Sequence, residues 1–136
     1  LAQFGQDVKE NGGLVRILEV AGGFHSPFMQ SAASDLKDIF EKASVKEAEI
    51  PVYANCTGEK YQGSYTDTML RQIVSPILWQ KSIENMIADG VDTFIEVGPG
   101  SRLTKMITRI SKDITMLNVE NEETLELAVK TAGGKK

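Results

Sequence analysis

The chain has 136 residues, with 15 Lys and Arg against 19 Asp and Glu for a formal charge of −4, one His, one Cys and 41% apolar residues. At this length roughly two thirds of the unfolded chain's surface can be hidden on folding, so a core needs neither disulfides nor metal, and collagen-like, disordered and disulfide-rich classes are excluded. Cys56 alone cannot form an internal disulfide and nothing resembles a signal peptide, which points to a reducing, cytoplasmic setting, and the longest apolar runs are too short for a transmembrane helix.

Residue 1 is Leu rather than Met, and Leu1, Phe4 and Val8 fall at helical spacing before a Gly12-Gly13 stop. The chain therefore reads as a piece cut from something longer. Residues 14–20 are β-rich and predict a strand that ends in Ala21-Gly22-Gly23. Ser26 as N-cap and Pro27 in the first turn then open a helix over residues 27–44, with Phe28, Ala32, Leu36, Ile39, Phe40 and Ala43 on one apolar face. A short strand is predicted over residues 50–54, followed by turn chemistry at Asn55-Cys56-Thr57-Gly58 and a polar loop over 59–65. Thr66 or Asp67 can cap a helix carrying Met69, Leu70, Ile73 and Val74, which must stop before Pro76. The next helix spans about residues 78–89 and closes on Gly90. The clearest strand is Thr93-Phe94-Ile95-Glu96-Val97; it runs into Gly98-Pro99-Gly100 and a helix capped by Ser101, with Leu103, Met106, Ile107 and Ile110 inward. A last strand over 114–119 and a helix over 124–132 precede a loose tail.

Strands alternating with helices predict an α/β fold with a largely parallel sheet and flanking helices. Ligands gather at the carboxyl ends of the strands in such sheets. Three loops have that position: residues 21–26, 55–58 and 98–101.

His25, the only histidine, lies in the first of these loops. A base on a strand-to-helix turn can be aimed into a crevice, but the same position suits a histidine that caps a helix or fills surface, and position alone leaves both readings open. No nucleophile accompanies it. Cys56 has no neighbouring cation in sequence to activate it, and no Gly-x-Ser-x-Gly elbow occurs. Gly98-Pro99-Gly100-Ser101 lacks the Lys and the spacing of a P-loop and reads as a tight turn. A lone His and a lone Cys exclude the usual structural zinc sites, so no metal is expected, and net acidity opposes general nucleic-acid binding. Arg102, Lys105, Arg109 and Lys112 recur at helical spacing on one face. That stripe is either an ordinary solvated face or a docking surface for an acidic partner or a phosphorylated ligand.

Four segments occur here in a telling order: Phe24-His25-Ser26-Pro27, Tyr53-Ala54-Asn55-Cys56-Thr57-Gly58, Arg71-Gln72-Ile73-Val74-Ser75-Pro76-Ile77-Leu78-Trp79, and Glu96-Val97-Gly98-Pro99-Gly100-Ser101-Arg102. From about residue 14 to residue 119 the chain resembles the C-terminal part of the malonyl-CoA:acyl-carrier-protein transacylases and of the related acyltransferase domains of polyketide and fatty-acid synthases. The resemblance implies a hydrolase-like acyltransferase core over residues 21–132, the tail end of a ferredoxin-like subdomain over 1–20, and a loose tail over 133–136.

The activity it implies is ping-pong transfer of malonyl from coenzyme A to acyl carrier protein through an acyl-serine, in fatty-acid biosynthesis. His25 would be the general base, the backbone carbonyl of Gln72 would orient it, and the Gln72 side chain would be free to vary. Phe24 matches a position tied to the choice of malonyl as extender. No cofactor is implied, since malonyl-CoA is a substrate. The expected partners are acyl carrier protein, malonyl-CoA and a missing N-terminal part that carries the serine, the carboxylate-binding arginine and the oxyanion-hole glutamine, with no nucleic acid and no membrane. This stretch alone is expected to be inactive. Two alternatives remain: an acyltransferase domain of a polyketide synthase, and a non-catalytic module that binds carrier protein.

Overall fold

The computed structural model describes residues 2–17 and 20–133. The described residues form six α-helices and two small sheets, an α/β arrangement with less sheet than the alternation of elements predicts. Helix α1 spans Ala2–Glu10 and ends at Gly12, whose φ of 77° is the left-handed conformation that glycine adopts freely at a helix end. The strand expected over residues 14–20 does not form: residues 14–17 and 20 are irregular, and 18 and 19 lie outside the described residues. A strand needs a neighbour to take its backbone hydrogen bonds, and among the described residues none pairs with residues 14–17, where Leu14 is 100% and Ile17 79% exposed.

The long helix starts as a single 3-10 turn, Pro27–Met29, and continues as α2, Gln30–Lys42. Ser26 caps it as expected, its Oγ accepting from the Phe28 N–H. The inward face differs from the periodic one: Phe28 is 87% exposed, and Ala33 is the buried residue.

Only Tyr53–Ala54 of the strand expected over 50–54 pairs, as β1, and its partner β2, Glu59–Lys60, lies in the stretch expected as polar loop. The two form an antiparallel hairpin around the turn at residues 55–58. Gly58, at φ 71°, is required there, because a Cβ would meet Lys81 Cγ at 2.8 Å.

Helix α3, Tyr65–Val74, is capped by Ser64, whose Oγ accepts from the Asp67 N–H, rather than by Thr66 or Asp67 themselves. Helix α4, Trp79–Ala88, follows and supports the hairpin. Asn85 Nδ2 donates to the Gly58 carbonyl at 2.8 Å, Lys81 pairs with Glu59 at 2.7 Å, and Lys60 pairs with Asp89 at 3.0 Å. The two ion pairs are solvent-exposed and contribute little. What seats the hairpin is burial, since Ala54, Cys56, Ser82 and Ile83 are all closed off from solvent.

Strand β3, Thr93–Val97, pairs in parallel with β4, Thr115–Val119, from Thr93 opposite Thr115 to Val97 opposite Val119. The two are joined through α5, Arg102–Ile110, and α6, Glu122–Gly133, closes the described structure. This single parallel pair stands where a larger sheet was expected. Of the three candidate loops, only residues 98–101 follow a strand of a parallel pair.

Ser101 makes no side-chain cap on α5. Glu96 on β3 does that work from across the βα turn: its Oε1 accepts from Leu103 N at 3.0 Å, and its Oε2 from Thr104 N at 2.8 Å and Thr104 Oγ1 at 2.7 Å. These bonds, the Thr104 hydroxyl first, favour the ionised carboxyl and hold it below the usual carboxylate range. A lowered folded-state value means stability that is present at neutral pH and lost as pH falls through that value. Glu96→Gln should therefore lower the urea midpoint at neutral pH, with the two unfolding curves converging across the acid range as the native carboxyl protonates. Curves that stay parallel across that range would show that the cap carries no charge-dependent stability.

Candidate active site

The loop of residues 21–26 turns sharply into the 3-10 turn, and His25 sits at its apex with φ 55°. It is the only non-glycine with positive φ among the described residues. Such a conformation is disfavoured for a side chain with a Cβ and persists where surrounding bonds hold it. Ser26 supplies two of them: its Oγ donates to the Gly23 carbonyl at 2.5 Å and accepts from the Phe28 N–H at 3.3 Å.

The His25 ring reaches α3, where Nδ1 lies 2.9 Å from the Gln72 carbonyl oxygen. That oxygen is available for a local reason. In a continuing helix it would accept from the N–H four residues on, but that residue is Pro76, which has none. The helix stops at Val74, and the stranded carbonyl takes His25 instead. A carbonyl can only accept, so Nδ1 carries the proton and Nε2 keeps its lone pair.

The Gln72 side chain, expected to be free to vary, is fully engaged. Its Oε1 accepts from the Asn55 N–H at 2.8 Å, and its Nε2 donates to the Tyr61 hydroxyl at 2.6 Å. Tyr61 stacks on Tyr65 with ring centroids 4.8 Å apart, and burial is the main effect pushing its hydroxyl pKa up, which keeps it neutral. His25, Asn55, Tyr61, Tyr65, Met69 and Gln72 line a largely apolar cavity of about 510 Å³. Asn55, Tyr61 and Pro76 were not singled out for this role in the sequence. The one local signal was the Gln-x-x-x-Pro spacing at a helix end.

The other candidates lie elsewhere. Phe24 is 56% exposed and does not line this cavity. Cys56 is a buried free thiol. Arg102, Lys105 and Arg109 lie on α5, whereas Lys112 falls beyond its end: the helix closes at Ile110 and Ser111 is extended, so the stripe of four is a row of three and an outlier. None of the four makes an ion pair among the described residues. The loop of residues 98–101 holds the chain's own groups, with Gly100 N–H donating to Glu120 Oε2 at 2.8 Å and Asn118 Nδ2 donating to the Gly100 carbonyl at 2.6 Å. Glu96 and Glu120 thus fill the anion position at the start of α5. No cluster of three or more metal-ligating side chains occurs among the described residues, and no helix there is long and apolar enough to cross a membrane.

No family model matches the chain. The malonyl CoA-acyl carrier protein transacylase of Bacillus subtilis is 36% identical over 126 residues, which is 90% of this chain and 40% of that protein. Among solved structures, the malonyl CoA-acyl carrier protein transacylase of Clostridium perfringens superposes with a TM-score of 0.87 at 36% identity, covering 94% of this chain and 41% of that one. A malonyl-transacylase in complex with a holo type II polyketide acyl-carrier protein superposes with a TM-score of 0.86 at 25% identity, covering 96% and 43%. Fold and relatives together give the class of protein that the chain resembles, the transacylases. Over most of its length the chain is similar to malonyl CoA-acyl carrier protein transacylases, and it spans about two fifths of the length of the relatives it matches, 40% and 41% in the first two cases.

The geometry at His25 makes a spectroscopic prediction. Nitrogen-15 spectra of the neutral ring should show the Nδ1–H tautomer as the dominant form. A dominant Nε2–H tautomer would mean that the Gln72 carbonyl does not receive the ring.

Proposed function

We propose that this chain supplies the general base of a malonyl-CoA:acyl-carrier-protein S-malonyltransferase whose serine nucleophile lies on a segment outside it. The observation that carries this reading is the His25 ring held by Nδ1 on a helix-end carbonyl, which directs a basic Nε2 away from α3. Nε2 takes the serine proton as the serine oxygen attacks the malonyl thioester. The carbon–sulfur bond breaks, and coenzyme A leaves as the thiol with that proton. In the second half, Nε2 takes the proton of the carrier's phosphopantetheine thiol, the sulfur attacks the malonyl-serine carbonyl, the carbon–oxygen ester bond breaks, and the proton returns to the serine oxygen. A neutral carbonyl stabilises an imidazolium less than a carboxylate does, yet it fixes the tautomer that this step needs.

Two physical features support an unshared, incomplete site. Val97 on β3 is 79% exposed, Leu14 and Phe28 more so, and Ile83 is the only large side chain fully buried among the described residues. Apolar surface on this scale marks a face that packs against further protein. On this reading, residues 1–20 end a ferredoxin-like subdomain, residues 21–132 are part of a hydrolase-like core, and Phe24 meets the substrate through the segment that covers it. The curated relatives bear the name malonyl CoA-acyl carrier protein transacylase, which favours this enzyme over a synthase domain. The unpaired Cys56 fits a cytoplasmic setting.

In the full-length protein His25→Ala should lower acyl transfer by about 10²–10⁴-fold with the fold retained. Turnover near that of the unsubstituted protein would remove His25 from the mechanism. The cations of α5, with Lys112 beyond its end, are proposed to dock an acidic carrier protein. Reversing Arg109 and Lys112 to Glu should then raise KM for carrier protein and leave acylation by malonyl-CoA almost unchanged. Equal losses in both half-reactions would point instead to coenzyme A phosphates or to misfolding.

A further inference from the structure

Resting on that reading, we infer that the side chain of Gln72, anchored by Tyr61, is a positioning group that holds the histidine in its reactive tautomer and orientation. Helix ends fray, and the carbonyl that receives His25 lies in the last turn of α3, next to the Pro76 break. A carbonyl there aims a ring well only if something else holds the turn.

Two contacts converge on Asn55 to do so. Its N–H donates to Gln72 Oε1 at 2.8 Å, and its carbonyl accepts from the Leu78 N–H at 2.7 Å. The chain is therefore gripped on both sides of Ser75-Pro76 by one residue of the hairpin turn. The Gln72 Nε2 bond to Tyr61 at 2.6 Å adds a third point, and Tyr61 is itself tied in by its N–H to the Val52 carbonyl at 2.8 Å and by its stacking on Tyr65. The amide serves both partners, its oxygen accepting from a backbone N–H and its nitrogen donating to a hydroxyl. Gln72 thus acts twice, its carbonyl on the ring and its side chain on the frame that fixes where the carbonyl points.

The test uses the full-length protein with Gln72→Met, which keeps length and flexibility but loses both bonds, and Tyr61→Phe, which removes one hydroxyl and keeps the stacked ring. Each is measured for kcat and KM with malonyl-CoA and carrier protein, and by nitrogen-15 spectra of His25 assigned by comparison with His25→Ala. Gln72→Met should lower kcat about tenfold with KM within about twofold, and populate both neutral tautomers of His25; Tyr61→Phe should do the same by about threefold. A single Nδ1–H tautomer with unchanged kcat in both variants overturns the inference. If Gln72→Met does not fold, Tyr61→Phe decides alone. Activity retained in His25→Ala is a separate result that sinks the base assignment, while the tautomer spectra of the two variants still judge the positioning.

Discussion

The hydrogen bond between His25 Nδ1 and the Gln72 carbonyl joins segments 47 residues apart, and the surrounding structure is arranged to make it possible. Pro76 strands the carbonyl, Ser26 holds the histidine backbone in a left-handed turn, and the Gln72 amide with Asn55 fixes the end of α3. A neutral hydrogen bond contributes only about 0.5–1.5 kcal/mol net. Its value here is directional, since it selects which ring nitrogen faces outward. The same economy of means appears in the choice of orienting group: a helix end presents acceptors without placing a second buried charge beside the ring.

The βα turn after β3 carries a related lesson. Gly98-Pro99-Gly100-Ser101 has the flexibility of an anion-binding loop, and the start of α5 has the free N–H groups. Both are already taken by Glu120 and Glu96. The residue that caps the helix is therefore one that leaves β3 pointing toward it, and the loop is a structural joint. The three cations on α5, Arg102, Lys105 and Arg109, remain exposed beside that joint.

The chain's apolar surface places a constraint on how it exists. Burying a side chain such as Phe28 or Val97 is worth about 1.5–3 kcal/mol each, against a total stability of about 5–15 kcal/mol for an ordinary domain. A handful of such side chains left in solvent is thus comparable to the whole margin. The similarity spans about two fifths of the relatives' length, and the exposed faces leave apolar surface uncovered within that span.

By itself, the sequence determined the helices, the strands β3 and β4, the Asn55 turn and the placing of His25 between a glycine loop and a capped helix. Periodicity, capping residues, glycine and proline act over a few neighbouring residues, so they are readable in order. Only the tertiary structure decided that residues 14–17 stay irregular, that Glu59 and Lys60 pair with Tyr53 and Ala54, that Lys112 leaves the helix, and that Glu96 rather than Ser101 caps α5. It also decided the partners of the Gln72 side chain, which lie 17 and 11 residues away. Pairing of strands and side chains depends on which distant segments meet, and the packing that brings them together leaves no periodic trace along the chain.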